Sequence, residues 1–238
     1  MSASIVPGFS QIAYLQRALA AHVPQKMLRD LLNWLRYGVQ APRSDARIYV
    51  DPKAMSQALA RQERSHRFKR QNSGALEPGD WDLARVDIET NTKLRSCRMH
   101  WQMGADWPET PIWQRLAREI AGGHTPDGCV TLGDLKDRYL ALDRLFSETR
   151  SRGRLLTRDE MPDHFRREHG GVLVHVARDG TCLRSGGGAH RFAVARILGL
   201  PEIPAQIGAV HPGAIQNGHL QQLLLSRFAQ DGKTGDAA

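Results

Sequence analysis

Three consecutive glycines, Gly186, Gly187 and Gly188, separate a strand-like segment from a helix-like one that opens on Ala189-His190-Arg191. No other feature constrains the fold as much. Glycine permits close approach of the backbone to a ligand. A helix starting there points free N–H groups and the positive end of its dipole forward, which favours an anion. His190 and Arg191 fall in the first helical turn and can add donors. Arg191 is permanently charged and can hold phosphate through two parallel bonds. The pattern is neither the GxxxxGK[ST] loop nor the dinucleotide fingerprint, whose glycine spacing differs.

The order around these glycines adds weight. Val172–Val176 reads as a strand, Arg178-Asp179-Gly180 as a hairpin turn and Thr181–Arg184 as the return strand. Ala189–Leu198 then reads as an apolar, buried helix stopped by Gly199-Leu200-Pro201. Ile203–Val210 is a further strand, and its Pro204 and Gly208 predict an edge or bulged one.

This stretch, Val172 to Val210, resembles the ParB/sulfiredoxin superfamily, whose members bind ATP, ADP or CTP at a Gly-x-His-Arg-like or Gly-Glu-Arg-Arg-like helix start. The close match spans about a sixth of the chain. More loosely, Gly79-Asp80-Trp81-Asp82, the helix around Trp113 and the helix Asp134–Arg150 look like a ParB-like group of bacterial and archaeal proteins. The resemblance implies that Gly188, His190 and Arg191 contact nucleotide phosphates, with Arg184, Ser185 and Gly187 completing the nucleotide-binding loop. There are departures. Ala189 stands where sulfiredoxin-type reductases have a cysteine, so that reductase reaction is not expected. Partition-type ParB proteins have Glu-Arg at this point and then a helix-turn-helix domain, for which the residues after Val210 are too few. Free serine kinases and many relatives place an aspartate where this chain has Gly187. Phosphoryl transfer would then need another carboxylate.

Asp80 and Asp82 are candidates for that carboxylate. In an extended segment, side chains two apart share a face, so the pair could hold Mg²⁺ or activate a hydroxyl. The competing reading is a capped loop anchored by a buried Trp81. Cys97-x-x-His100, with His124 and Cys129 further on, fits no common zinc spacing. No GxSxG nucleophile signature is present.

Elsewhere the local signals are mostly helical. Ser10 can cap a helix from Gln11 towards His22, and Pro24 opens a second that ends at Gly38, with Leu28, Leu31, Leu32 and Leu35 on one face for packing. Arg47–Val50 reads as a strand, and a helix is expected from Ala54 to about Ser65. The segment Arg61–Arg70 is basic, either a solvated face or a phosphate-contacting patch. The pattern from Glu89 to Gly153 is helical, with starts at Thr110-Pro111 and Thr131. Thr157-Arg158-Asp159-Glu160 fits a capping box and predicts a short helix reaching Gly170-Gly171. A last helix is expected over Ile215–Ala229.

Net charge matters to the choice of partner. It is +8 with a pI near 9.9, which favours anions: nucleotides, phosphates or nucleic acid. Three separated cysteines argue for reduced thiols, and no apolar run or leader pattern is seen, so a cytoplasmic protein without a membrane partner is expected.

The predicted fold class is α+β: a helix-rich N-terminal region packed on a small mixed sheet with a ParB/sulfiredoxin-like C-terminal unit. The expected divisions are residues 1–70 (helical, with the basic segment), 71–230 (the nucleotide-binding domain with a helical insertion) and 231–238 (a flexible tail). The leading functional expectation is an ATP-dependent phosphotransferase or ATPase acting on a small molecule, using ATP (or ADP or CTP) and Mg²⁺. There His190 and Arg191 would stabilise phosphate charge, and Asp80 or Asp82 would bind metal. The alternatives are a non-enzymatic DNA- or RNA-binding regulator, and a degenerate nucleotide fold used for protein contacts.

Overall fold

Every residue of Val172–Val176 (β4) is buried, so this strand is covered on both faces and lies at the heart of the protein. The computed structural model describes residues 11–63, 66–161 and 171–225. The other strands are β1 (Arg47–Val50), β2 (Gln57–Leu59), β3 (Arg85–Asp87), β5 (Cys182–Arg184) and β6 (Ile203–Val210). They form one mixed sheet in the order β1-β6-β4-β5-β2-β3. β4 and β5 pair antiparallel through the Asp179-Gly180 turn, and β6 returns parallel to β4.

The helices are α1 (Gln11–Ala20), α2 (Val23–Tyr37), α3 (Thr92–Met103), α4 (Pro111–Ala121), α5 (Leu132–Arg152), α6 (Ala189–Leu198), α7 (Pro212–Gln216) and α8 (His219–Leu225). With the sheet they make the fold α+β. Alternation along β4 decides what meets which face. Val172, Val174 and Val176 join a core shared with Leu94 and Cys97 of α3, Tyr139 of α5 and Phe192 of α6. On the other face, Ala177 joins Leu183, Phe68 and Trp81 in a second, smaller core. α4 starts at Pro111 as expected, although the Thr110 hydroxyl donates to the Trp107 carbonyl and makes no cap bond, and at the α5 start Thr131 and Asp134 cap each other reciprocally.

Three expectations need correction, and one open alternative is settled. The segment expected to be a helix from Ala54 contains β2 instead, because pairing to both β3 and β5 overrides local propensity and buries Ala58 and Leu59. Of the two readings of β6, edge or bulged, the bulged one holds, and β6 lies inside the sheet between β1 and β4. Pro204 is tolerated because β4 joins β6 only from Ala205 onward, so Pro204 has a partner on one side alone, Tyr49. The bulge falls near Gly208, where the His175 ring fills the space a side chain would need. The final helix is broken at Asn217-Gly218, with Gly218 at φ 75°. The third correction concerns α2: its Leu28, Leu31, Leu32 and Leu35 are all exposed, and its buried residues are Lys26 and Asn33. Polar bonds seat this helix. Lys26 Nζ pairs with Asp45 at 2.9 Å, Asn33 donates to the carbonyls of Pro42 and Gly74, and Asp30 accepts from the Ser44 N–H. Glu160 accepts from the Thr157 N–H, one half of the expected capping box, but the Thr157 hydroxyl donates to the same carboxylate instead of accepting from the Glu160 N–H, and residues 158–161 form a turn; the rest of the expected helix and the expected tail lie outside the described residues. Among the described residues, no helix is long and apolar enough to cross a membrane.

Candidate anion-binding cleft

The glycine loop is built for tight packing. Gly188 caps α6 in the left-handed region (φ 71°), where L side chains are strained. A Cβ there would also collide with the Gly171 carbonyl and Val172 Cα at the start of β4. At Gly187, a Cβ would lie 2.8 Å from Nη2 of Arg70 and 2.9 Å from Cβ of Leu173. Gly186 meets nothing within 4 Å. The close approach that glycine permits is therefore used by the protein's own β4 and Arg70.

From this loop α6 sends its first polar side chains in different directions. Arg191 lines a cleft of about 910 Å³. Its Nη2 donates to the Leu156 carbonyl, and its buried Nε has no partner among the described residues. It forms no ion pair with any described residue. Burial, and the neighbouring Arg158, lower its pKa. His190 instead packs edge-on against Tyr139 and does not line the cleft. Burial, together with the cations Lys93 and Arg138, pushes His190 down to about 3, so it is neutral near pH 7, and its Nε2 has no partner among the described residues.

Besides Arg191 and Gly171, the cleft walls come from three separate stretches. α2 supplies Asp30, Leu31 and Trp34, and the chain that follows supplies Arg43, Asp45 and Arg47. The loop 156–161 adds Arg158 and Asp159, and β6 adds Gln206. Behind the wall, Arg70 donates to the Gly171 carbonyl and to Oε1 of Gln206 at 3.1 Å. Gln206 passes the contact on, its Nε2 donating to Asp45 Oδ1 at 2.6 Å, and Asp45 is the partner of Lys26. Burial and then Arg191 lower the pKa of Arg70, so two guanidinium groups repel each other across a partly desolvated wall. Arg47 pairs with Asp159 and holds that carboxyl below its ordinary range. The cleft lining thus carries Arg43, Arg47, Arg158 and Arg191 against Asp30, Asp45 and Asp159, while Leu31 and Trp34 give it an apolar side.

The other residues singled out from sequence lie elsewhere. Arg184 is buried, donates to the Gly187 carbonyl and stacks its guanidinium 4.4 Å above the Phe192 ring. Ser185 is bonded to His175 Nε2 at 2.8 Å. Because His175 Nδ1 accepts from the Ala209 N–H, its Nε2 must carry the proton, so it cannot act as a base towards Ser185. Asp80 and Asp82 do share a partner, but in a turn rather than a strand: Arg178. Asp82 is fully buried and accepts from the Arg178 N–H, Nε and Nη2. Burial alone would raise its pKa, but these bonds outweigh burial and hold it below the usual carboxylate range. Neither aspartate lines the cleft. Cys97 is buried, and His100 bonds the Ala105 carbonyl and Asp143. Among the described residues no three His, Cys, Asp or Glu side chains gather to hold a metal ion.

The basic segment is not a continuous stripe: Arg67 pairs with Glu77, while Arg70 turns inward to the cleft. Sequence reasoning missed Trp34, Asp30, Arg158 and Gln206 as wall residues. Each had a sufficient local explanation as helix, cap or strand, and only the tertiary fold brings them together. No family model matches the chain, and neither a curated protein nor a solved structure matches it.

Proposed function

We propose that the cleft binds a nucleotide, with its phosphates at Arg191, and that the protein uses ATP, or ADP or CTP, as a phosphotransferase or ATPase acting on a small molecule. One observation carries this reading: a desolvated guanidinium without an ion-pair partner among the described residues opens into a cavity large enough for a nucleotide. A buried unpaired cation is costly, and an anion relieves that cost. Trp34 and Leu31 supply the apolar wall a base stacks on. The resemblance of Val172–Val210 to ParB/sulfiredoxin-like nucleotide sites points the same way.

Within this reading, Arg191 and Arg158 bind phosphate oxygens and neutralise charge that builds up during transfer. Mg²⁺ is usually held by one or two carboxylates together with the phosphates rather than by an all-protein cage. Asp30 and Asp159 on the cleft wall, the first accepting from the Ser44 N–H and the second paired with Arg47, are the carboxylates that would take the role first expected of Asp80 and Asp82. Bound Mg²⁺ would neutralise phosphate charge. The test is calorimetric titration with ATP, ADP and CTP, with and without Mg²⁺, followed by a phosphate-release assay. Saturable heat with at least one nucleotide is expected, and absence of heat with all of them would sink the proposal.

A further inference from the structure

Helix α2 is inside out. Lys26 and Asn33 are buried, while Leu28, Leu32 and Leu35 face solvent, Leu35 being 67% exposed. These leucines recur at spacings of four and three, and Val39, 92% exposed, continues the row into the turn after the helix. Such a row is the seam by which two helices pack knobs into holes. Leu15 and Leu19 of α1, the helix that packs against α2, are also more than half exposed. At roughly 100 Å² each, these six side chains expose on the order of 600 Å² of apolar surface, the upper end of what a monomer ordinarily shows.

We propose that a second copy of this chain covers this face, with the two α2 helices antiparallel across a two-fold axis. Two features favour a copy over a different partner. The row itself carries no charge, so nothing on it selects a complementary partner, whereas a row of leucines is complementary to itself. Closing the row on its own copy buries about 1,200 Å² in total before any polar rim is counted, which reaches the size of a stable interface. Two-fold dimers are also the commonest closed assemblies. In the antiparallel arrangement Leu28 meets Leu35 of the partner subunit, and Leu32 lies near the axis. Leu31 and Trp34 sit on the flank of α2 that lines the cleft, so the cleft mouth adjoins the interface.

Sedimentation velocity on the full chain tests this. The wild type is expected to sediment at twice the 26.6 kDa chain mass at tens of micromolar. The double variant Leu28→Glu with Leu35→Glu is expected at the single-chain mass with unchanged circular dichroism, because both positions are exposed on the single chain, and with a lower thermal midpoint, because the stabilisation by dimerisation is lost. Leu140→Glu, an exposed position on α5, is expected to remain dimeric. A monomeric wild type overturns the proposal, as does a double variant that stays dimeric or a Leu140→Glu protein that dissociates.

Discussion

The guanidinium of Arg70 occupies the space in which a side chain at Gly187 would begin, 2.8 Å from its Cβ position. Gly187→Ala therefore has to displace Arg70 and crowd Leu173. The expected cost is about 1–3 kcal/mol of stability, as for other overpacked sites, with weaker nucleotide binding because the Arg70–Gln206 bond is disturbed. Gly186→Ala, which meets nothing, is the control. Urea unfolding of the two variants checks the difference.

Arg191→Met should separate binding from folding. The guanidinium is desolvated and has no ion-pair partner among the described residues, so its removal is expected to leave unfolding free energy within about 1 kcal/mol of wild type. A charge-assisted bond to phosphate is worth about 1.5–3 kcal/mol, so ATP affinity should fall about 10–100-fold. Equal loss in both measurements would show a structural role only.

Trp34→Ala is expected to weaken ATP binding about tenfold while leaving inorganic tripolyphosphate binding unchanged, since only the nucleotide has a base to stack. Fluorescence titration of both ligands decides this.

His190 sets a pH dependence. Its folded pKa is depressed to about 3 by burial and by Lys93 and Arg138, against an unfolded value of about 6.5. Between those values the unfolded chain binds one more proton than the folded one. The stabilising contribution is thus complete above about pH 6.5 and is lost as pH falls, with a slope of up to about 1.4 kcal/mol per pH unit. Comparing wild type with His190→Gln between about pH 7 and pH 5 should show a flatter stability profile in the variant.

Asp82→Ala removes the acceptor for the Arg178 N–H and opens the second core to water. About 2 kcal/mol of stability should be lost through the unsatisfied backbone donor. ATP binding should be retained, because the Asp82–Arg178 clamp does not line the cleft. Loss of binding in a folded Asp82→Ala protein would return these aspartates to the functional site.

The unit from β4 through β6 was legible because its signals are local: alternating β-branched residues, an Asp-Gly turn, glycines, then an apolar helix. β2 was not, since Gln57–Leu59 is a strand only by virtue of partners far along the chain. His190 and Arg191 were expected to act together. Adjacent helical residues point about 100° apart, so one entering the cleft sends the other towards Tyr139. The leucines of α2 gave a clear helical period, but periodicity shows which residues share a face and not which face is inward. The cleft could not be read at all, because its walls are assembled from segments over 150 residues apart in sequence, Asp30 to Gln206.

The polar seating of α2 bears on how firmly the cleft holds its shape. A helix resting on oily side chains can roll or slide with little penalty, because dispersion contacts have no direction. Hydrogen bonds do have direction, and those from Lys26, Asn33 and Asp30 fix both the rotation and the axial position of the helix. Trp34 is therefore indexed to Arg70 through the Lys26–Asp45–Gln206–Arg70 chain, so the spacing between an aromatic surface and a cation is set by a rigid polar ruler instead of by the softer packing of a core.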